Sequence, residues 1–197
     1  MNKVELYIED ESDIFNETYT NEELSNLDIK NKTISNTTLE RCDLTSSDYK
    51  NTYFEKVVFS NCDISNTKFV ECNFREVEFN NCKLVGVNIS DCHITKVSIN
   101  NSQCKYINII DTKTKELTIE ESDFTESSFY NVELNKTLLE DTKFKEAEFM
   151  HINLSGINFS SCDITGIKIE EKSLKGIKVN QFQAIELATL LGIEIVE

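Results

Sequence analysis

The side chains most able to do chemistry in this chain are seven cysteines, two histidines and a large excess of carboxylates. Zinc-binding thiolates come in close pairs such as C-x-x-C, and Cys42, Cys62, Cys72, Cys82, Cys92, Cys104 and Cys162 contain no such pair. Nucleophilic catalysis needs a thiol or hydroxyl beside a positioned base. His93 and His151 have no partner fixed by their sequence context, and no P-loop, G-x-S-x-G or H-E-x-x-H occurs. Neighbouring Asp and Glu imitate a catalytic dyad only inside a pocket that separates their pKa values, which an exposed convex edge does not supply. The expectation is a protein without catalytic residues, metal or cofactor. Asp and Glu number 35 against 20 Lys and Arg, a formal net charge of −15. That charge excludes unaided binding to nucleic-acid phosphates and favours a partner with a basic groove.

The cysteine spacing belongs to a wider rhythm. Between Val57 and Asn101 a large apolar residue recurs every fifth place. Two places before it stands something small or β-branched: Val57, Cys62, Thr67, Cys72, Val77, Cys82, Val87, Cys92, Val97. Helices repeat at 3.6 and ordinary strands at 2, so a period of five marks an internal repeat. Its central place runs from Leu24 to Val179 without insertion, and Thr114 is the one polar member. Six cysteines fill the small place and Cys104 a central one, the pattern of buried small hydrophobes. Pro is absent, as an unbroken hydrogen-bond ladder requires. Gly86, Gly156, Gly166 and Gly176 take the last place of a word, where Asn and Asp also cluster; these residues tolerate tight corners.

The words CDISN, CNFRE, CDLTS and CDITG resemble the consensus of pentapeptide-repeat proteins over residues 22 to 179. The resemblance implies an all-β solenoid, a right-handed quadrilateral β-helix with one word per side and four words per coil. Residues twenty apart then stack about 4.8 Å above one another, and about eight coils make a rod on the order of 40 Å long. Residues 1–21 carry Glu5, Glu9, Asp10, Glu11, Asp13 and Glu17 among Leu6, Tyr7, Ile8, Ile14, Phe15 and Tyr19. They are expected to cap the open first coil. Glu22 and Lys32 occupy small places, so regular winding is expected from Thr37 or Cys42. The start lacks a basic and apolar leader, no run is long enough to span a membrane, and the thiols are unpaired; a cytoplasmic home is expected.

Folding the sequence into rows of twenty sorts its outer residues into columns. Lys56, Glu76, Lys96, Glu116 and Lys136 alternate in sign and read as structural. Asn61, Asn81 and Asn101, followed by Glu121 and Asp141, read as an amide ladder. A third column, Asn51, Glu71, Asp91, Asp111 and Asn131, is acidic without intervening Lys, and Glu71, Asp91 and Asp111 are its candidate partner-binding residues. Beside it runs a strip of Val70, Ser90, Ile110, Tyr130 and Met150, apolar for outward positions.

After Val179 the period changes. Asn180 and Gln183 form a capping-box pattern and Gly192 a helix stop, so residues 180–197 are expected to be a short α-helix and tail. Ala184, Leu187, Ala188 and Leu191 form the stripe expected to plug the last coil. Phe182, Ile185, Leu187, Leu190, Leu191, Ile193 and Ile195 form the cap and twofold dimer surface. The segment KGIKVNQFQAIELATLLGIEI resembles the C-terminal end of quinolone-resistance pentapeptide-repeat proteins of the Qnr and MfpA-like type. The matching residues are Gly176, Val179, Gln183, Ala184, Leu187, Leu191, Gly192 and Ile193. That resemblance implies a homodimer whose acidic rods mimic B-form DNA and bind type II topoisomerase, DNA gyrase or topoisomerase IV, inhibiting it or protecting it from quinolones. Because no loop interrupts the repeat, the MfpA-like form and simple mimicry fit better than drug rescue. The alternative is a general protein-interaction scaffold without a topoisomerase target.

Overall fold

A computed structural model describes residues 13–194 and Val196, a parallel β-solenoid of about 8 turns closed by one short helix. The register is twenty throughout: Ile14 pairs with Ile34, Ile34 with Phe54, Phe54 with Phe74, Phe74 with Ile94 and Ile94 with Thr114. Two sheets of 11 and 8 strands form three of the walls. The remaining wall is held by single bridges from Glu23↔Asp43 through Lys143↔Asp163. We number the faces by their inward residue: first Phe54, Phe74, Ile94; second Phe59, Phe79, Ile99; third Ile64, Leu84, Cys104; fourth Phe69, Ile89, Ile109. All of these are buried.

The corner between words is made by a left-handed residue. Glycine supplies it at Gly86 with φ 69°, but Lys56, Glu76 and Tyr106 adopt φ 53°, 55° and 60° at equivalent places. An L residue there is strained by roughly 1–2 kcal/mol. The ladder offsets that strain, since the corner N–H donates to the next coil, as Lys56 does to Arg75 at 2.9 Å and Tyr106 to Thr125 at 3.2 Å.

Inside, rings stack along the axis: Phe54 on Phe74 at 4.9 Å, Phe59 on Phe79 at 4.9 Å and Phe129 on Phe149 at 4.6 Å. Between the two aromatic blocks the core is aliphatic and encloses an apolar cavity of ≈ 30 Å³. The seven cysteines are free and buried. The Cys62 sulfhydryl donates to the Leu39 carbonyl at 3.3 Å, and burial pushes the Cys104 thiol up.

Three expectations change. Ile14 and Tyr19 are core residues on the ladder, and Thr18↔Thr38 and Tyr19↔Leu39 are already in register. The boundary expected at 21/22 therefore lies at or before residue 13, and the irregular first coil does not occur. Glu22 and Lys32 are accommodated half-buried because their backbone still accepts from Asp43 and Tyr53. The remainder of the expected acidic cap, residues 1–12, is outside the described residues.

Near the other end, Glu171–Leu174 forms a 3-10 turn instead of a wall. Lys172 stands where a small residue should point inward; its ammonium instead pairs with Glu170 at 3.3 Å. Ser173 turns in and donates to the Ile152 carbonyl at 2.6 Å. Finally, helix α1 spans Gln181–Leu190 with the capping box in place, but Ala184 and Leu191 are exposed and Ala188 is half-buried. The face turned to the rod is Gln183 and Leu187. The last coil turns the carbonyls of Phe159 and Cys162 toward the helix, and the Gln183 amide donates to both, at 2.9 Å and 2.7 Å; the Phe159 carbonyl also accepts from the Cys162 N–H at 2.8 Å.

Candidate partner-binding surface

The strip and the acidic column lie side by side, as the five-residue frame dictates. On the fourth face Val70 pairs with Ser90, Ser90 with Ile110, Ile110 with Tyr130 and Tyr130 with Met150. Tyr130 is 44% exposed, and its ring meets the His151 ring edge-on at 4.9 Å. The chain then turns through Glu71, Asp91 and Asp111, with φ 56°, 55° and 48°, one on each successive rung. Their N–H groups donate to Ser90, Ile110 and Tyr130 carbonyls, which fixes the backbone and leaves the exposed carboxylates pointing outward.

Two of the three carboxylates have partners within the rod. Lys50 stands 3.8 Å from Glu71, and Asn131 donates to Asp111 at 2.6 Å. The Lys50 contact was hidden from a column reading because it comes from the neighbouring column, twenty-one residues away. The other corners behave as their sequences imply. Lys96 pairs with Glu76 at 3.2 Å and Lys136 with Glu116 at 3.3 Å. The Lys96 hydrogen bond and charge hold the Glu76 carboxyl below its usual range. Asn101 donates to Asn81 at 2.6 Å.

The remaining corner, between the third and fourth faces, is one that sequence reasoning passed over. Gly86, Tyr106, Glu126 and Glu146 follow one another there. Tyr106 is 50% exposed and donates to Glu126 at 3.2 Å. Writing the sequence in rows of twenty exposes this column as readily as the others. The fourth face thus runs between two acidic edges. The first face is balanced in mid-rod, where Arg75, Lys96, Lys113 and Lys136 pair with Glu55, Glu76, Glu133 and Glu116 and Lys115 stands beside them.

At the C-terminal end Phe182, Ile185, Leu190, Leu191 and Ile193 are 73%, 52%, 48%, 48% and 52% exposed, and Val196 is 87% exposed. Leu187 is buried against the rod and acts in the cap alone. Ile195 is outside the described residues. His93 is exposed on a strand of the first face and His151 at the corner that leads into that face, 3.4 Å from Glu170. Among the described residues no group of His, Cys, Asp and Glu is arranged to hold a metal ion, and no helix is long and apolar enough to cross a membrane.

Repeat, register and left-handed corners are matched by two family models. One describes a pentapeptide repeat region and aligns with residues 32–109; the other describes pentapeptide repeats in 8 copies and aligns with residues 122–160. Together they span more than half of the sequence. The chain belongs to the pentapeptide-repeat family.

Among solved structures, this pentapeptide-repeat protein is similar to full-length QnrB1, a plasmid-mediated fluoroquinolone resistance protein. The two are 19% identical over 92% of this chain and 100% of that one, with a TM-score of 0.32. HetL, a pentapeptide repeat protein involved in heterocyst differentiation regulation from the cyanobacterium Nostoc sp. strain PCC 7120, is 13% identical over 90% and 94%, with a TM-score of 0.40. A pentapeptide repeat protein from the Arabidopsis thaliana thylakoid lumen is 11% identical over 49% and 68%, with a TM-score of 0.46. No curated protein matches the sequence.

Proposed function

We propose that this chain is a cytoplasmic, non-enzymatic interaction protein whose acidic rod occupies the DNA-binding groove of a type II topoisomerase, DNA gyrase or topoisomerase IV. The observation that carries the reading is the stacking of Glu71, Asp91 and Asp111 on successive rungs of one edge. Carboxylates about 4.8 Å apart repel one another, so a row of them is favoured where a basic partner receives it. The topoisomerase identity rests on the resemblance of residues 175–195 to the Qnr and MfpA-like end. The exposed apolar residues of α1 and its tail support a homodimer joined there, since a monomer would leave Phe182, Ile185, Leu190, Leu191 and Ile193 in water.

Supercoiling by gyrase, measured with increasing protein and with or without a fluoroquinolone, tests this. Inhibition at micromolar levels or protection from the drug is expected. The variant Glu71→Lys with Asp91→Lys and Asp111→Lys should lose the effect while keeping the far-ultraviolet signature of the rod. Equal inhibition by this variant and the parent removes the acidic corner from the mechanism.

One observation favours a second reading. On the first face Arg75, Lys96, Lys113 and Lys136 pair with Glu55, Glu76, Glu133 and Glu116, so the negative potential does not encircle the rod as it does a duplex. A scaffold that docks a basic protein by one face, with no topoisomerase target, fits that asymmetry. Inertness toward supercoiling, with and without drug, selects it.

A further inference from the structure

The fourth face changes character along the rod. At its start Lys68 pairs with Asp48 and Lys30 with Asp28; at its end Lys168 pairs with Glu148. Between these lies a window of three rungs, Asn88–Ser90, Asn108–Ile110 and Ser128–Tyr130, whose outward side chains carry no charge. One edge of the window is Asp91 and Asp111, the other Tyr106 and Glu126. Neutral floor and acidic margins face solvent together.

We infer that this window is a docking site for a basic amphipathic α-helix of a partner protein, laid along the rod axis. The helix's apolar stripe covers Ile110 and Tyr130. Its flanking Lys or Arg side chains meet Asp91 and Asp111 on one side and Glu126 and Tyr106 on the other, where a guanidinium gains both a carboxylate and a ring face.

Three properties select a helix. The rungs' backbone groups are consumed by the ladder, for example Asn88 N–H to Thr67 and Asn108 N–H to Val87, both within 3.0 Å. An added strand would therefore find no groups to pair with on this face. A wall of three extended residues is about 10 Å wide, close to the 10–12 Å diameter of a helix. Charge complementarity sets the flanks, because both margins are acidic and the floor between them lacks Lys. Tyr130 is already oriented by its contact with His151, so little ordering is lost when it is covered.

This inference rests on the reading of the protein as a rod for basic partners, and it specifies the face and the partner element. The probe is a synthetic helix of about fourteen residues, long enough at 1.5 Å per residue to cover the window and its ends, with Leu along one side and Arg on both flanks. A scrambled peptide of identical composition is the comparison. The full-length protein should bind the amphipathic probe and prefer it to the scrambled one. Asp91→Asn with Asp111→Asn and Glu126→Gln should raise Kd about tenfold or more, the loss expected from three solvent-exposed ion pairs. Ile110→Ser with Tyr130→Ala should do likewise. Glu120→Gln with Glu121→Gln and Glu140→Gln, on the second face, removes the same formal charge and should change Kd little. Equal weakening by the two charge sets, or equal binding of the scrambled peptide, overturns the inference. The topoisomerase reading separates cleanly: a protein inert toward gyrase that passes the peptide test keeps the window and loses the topoisomerase. Gyrase inhibition that survives the Asp91, Asp111 and Glu126 substitutions keeps the topoisomerase and loses the window.

Discussion

Gln183→Met is the most informative single perturbation of the C-terminal end. Gln183 is 7% exposed and makes three side-chain hydrogen bonds. Its amide nitrogen donates to the carbonyls of Phe159 and Cys162, and its oxygen accepts from the Asn180 N–H at 2.8 Å. Methionine preserves length and flexibility but satisfies none of the three. With each of the three bonds worth about 1 kcal/mol net, the loss is about 3 kcal/mol. Because a solenoid couples only nearest neighbours, that loss falls on α1 and the last coil. Amide hydrogen exchange of residues 184–191 should accelerate about 100-fold, the equivalent of that energy. The ladder from Asn73 to Glu120 should exchange as before. Protection of α1 within about threefold of wild type would show that the helix is held by Leu187 packing alone, and the assignment of Gln183 as the cap's anchor would be wrong.

Three further outcomes are expected. Phe74→Ala removes a ring stacked on Phe54 and bordering the existing cavity, so urea unfolding should show a loss of roughly 3–5 kcal/mol; a loss below about 1.5 kcal/mol would mean that the aliphatic segment collapses into the gap. The Asp163 carboxyl is held below its usual range by the Thr165 hydroxyl and N–H, with Lys145 and Lys143 adding to the effect and burial opposing it. A carboxyl depressed in the folded state lends stability that is complete above its unfolded pKa of about 3.9 and is lost as pH falls further. The Tm gap between wild type and Asp163→Asn should therefore narrow below about pH 4, and a gap that stays constant down to about pH 2 contradicts the linkage. Ile185→Glu with Leu190→Glu places charge on the exposed side of α1 without touching Gln183 or Leu187; sedimentation should shift from dimer to monomer, whereas a dimer that persists locates the twofold contact elsewhere.

What the sequence revealed depended on which physical rule dominated locally. Period five is set by inward packing, and the central residues from Leu24 to Ile169 are buried almost without exception, Leu134 being half-buried. Ile14 and Tyr19 obey the same frame, but Glu17 and Glu22 in the small places obscured it. Ladder hydrogen bonds held the coil together where side-chain preference argued against it. Lys172 broke the wall for the opposite reason: its ammonium found Glu170 outside and no ladder partner kept the strand. In α1 the helical period placed Leu187 inward but grouped it with Ala184 and Leu191, which are exposed, and left out Gln183, which is buried. The Phe159 and Cys162 carbonyls on the last coil chose the polar Gln183 over Ala184 and Ala188. The acidic edge was legible as a column because register is a counting rule, whereas the Lys50 contact to Glu71 required three dimensions.

The left-handed bends have one further consequence. Asn61, Lys96, Glu116, Tyr106 and His151 all turn the chain with φ between 54° and 60°, so the bend admits amide, charged and aromatic side chains alike, while β-branched ones, which that φ disfavours, are absent from it among the described residues. Winding and outer lettering are therefore separate instructions. A single codon change at any of these positions rewrites one character on a ruler graduated every 4.8 Å or so, and the neighbouring graduations do not move. New partners are reachable by spelling alone, with no loop to insert and no core to rebuild.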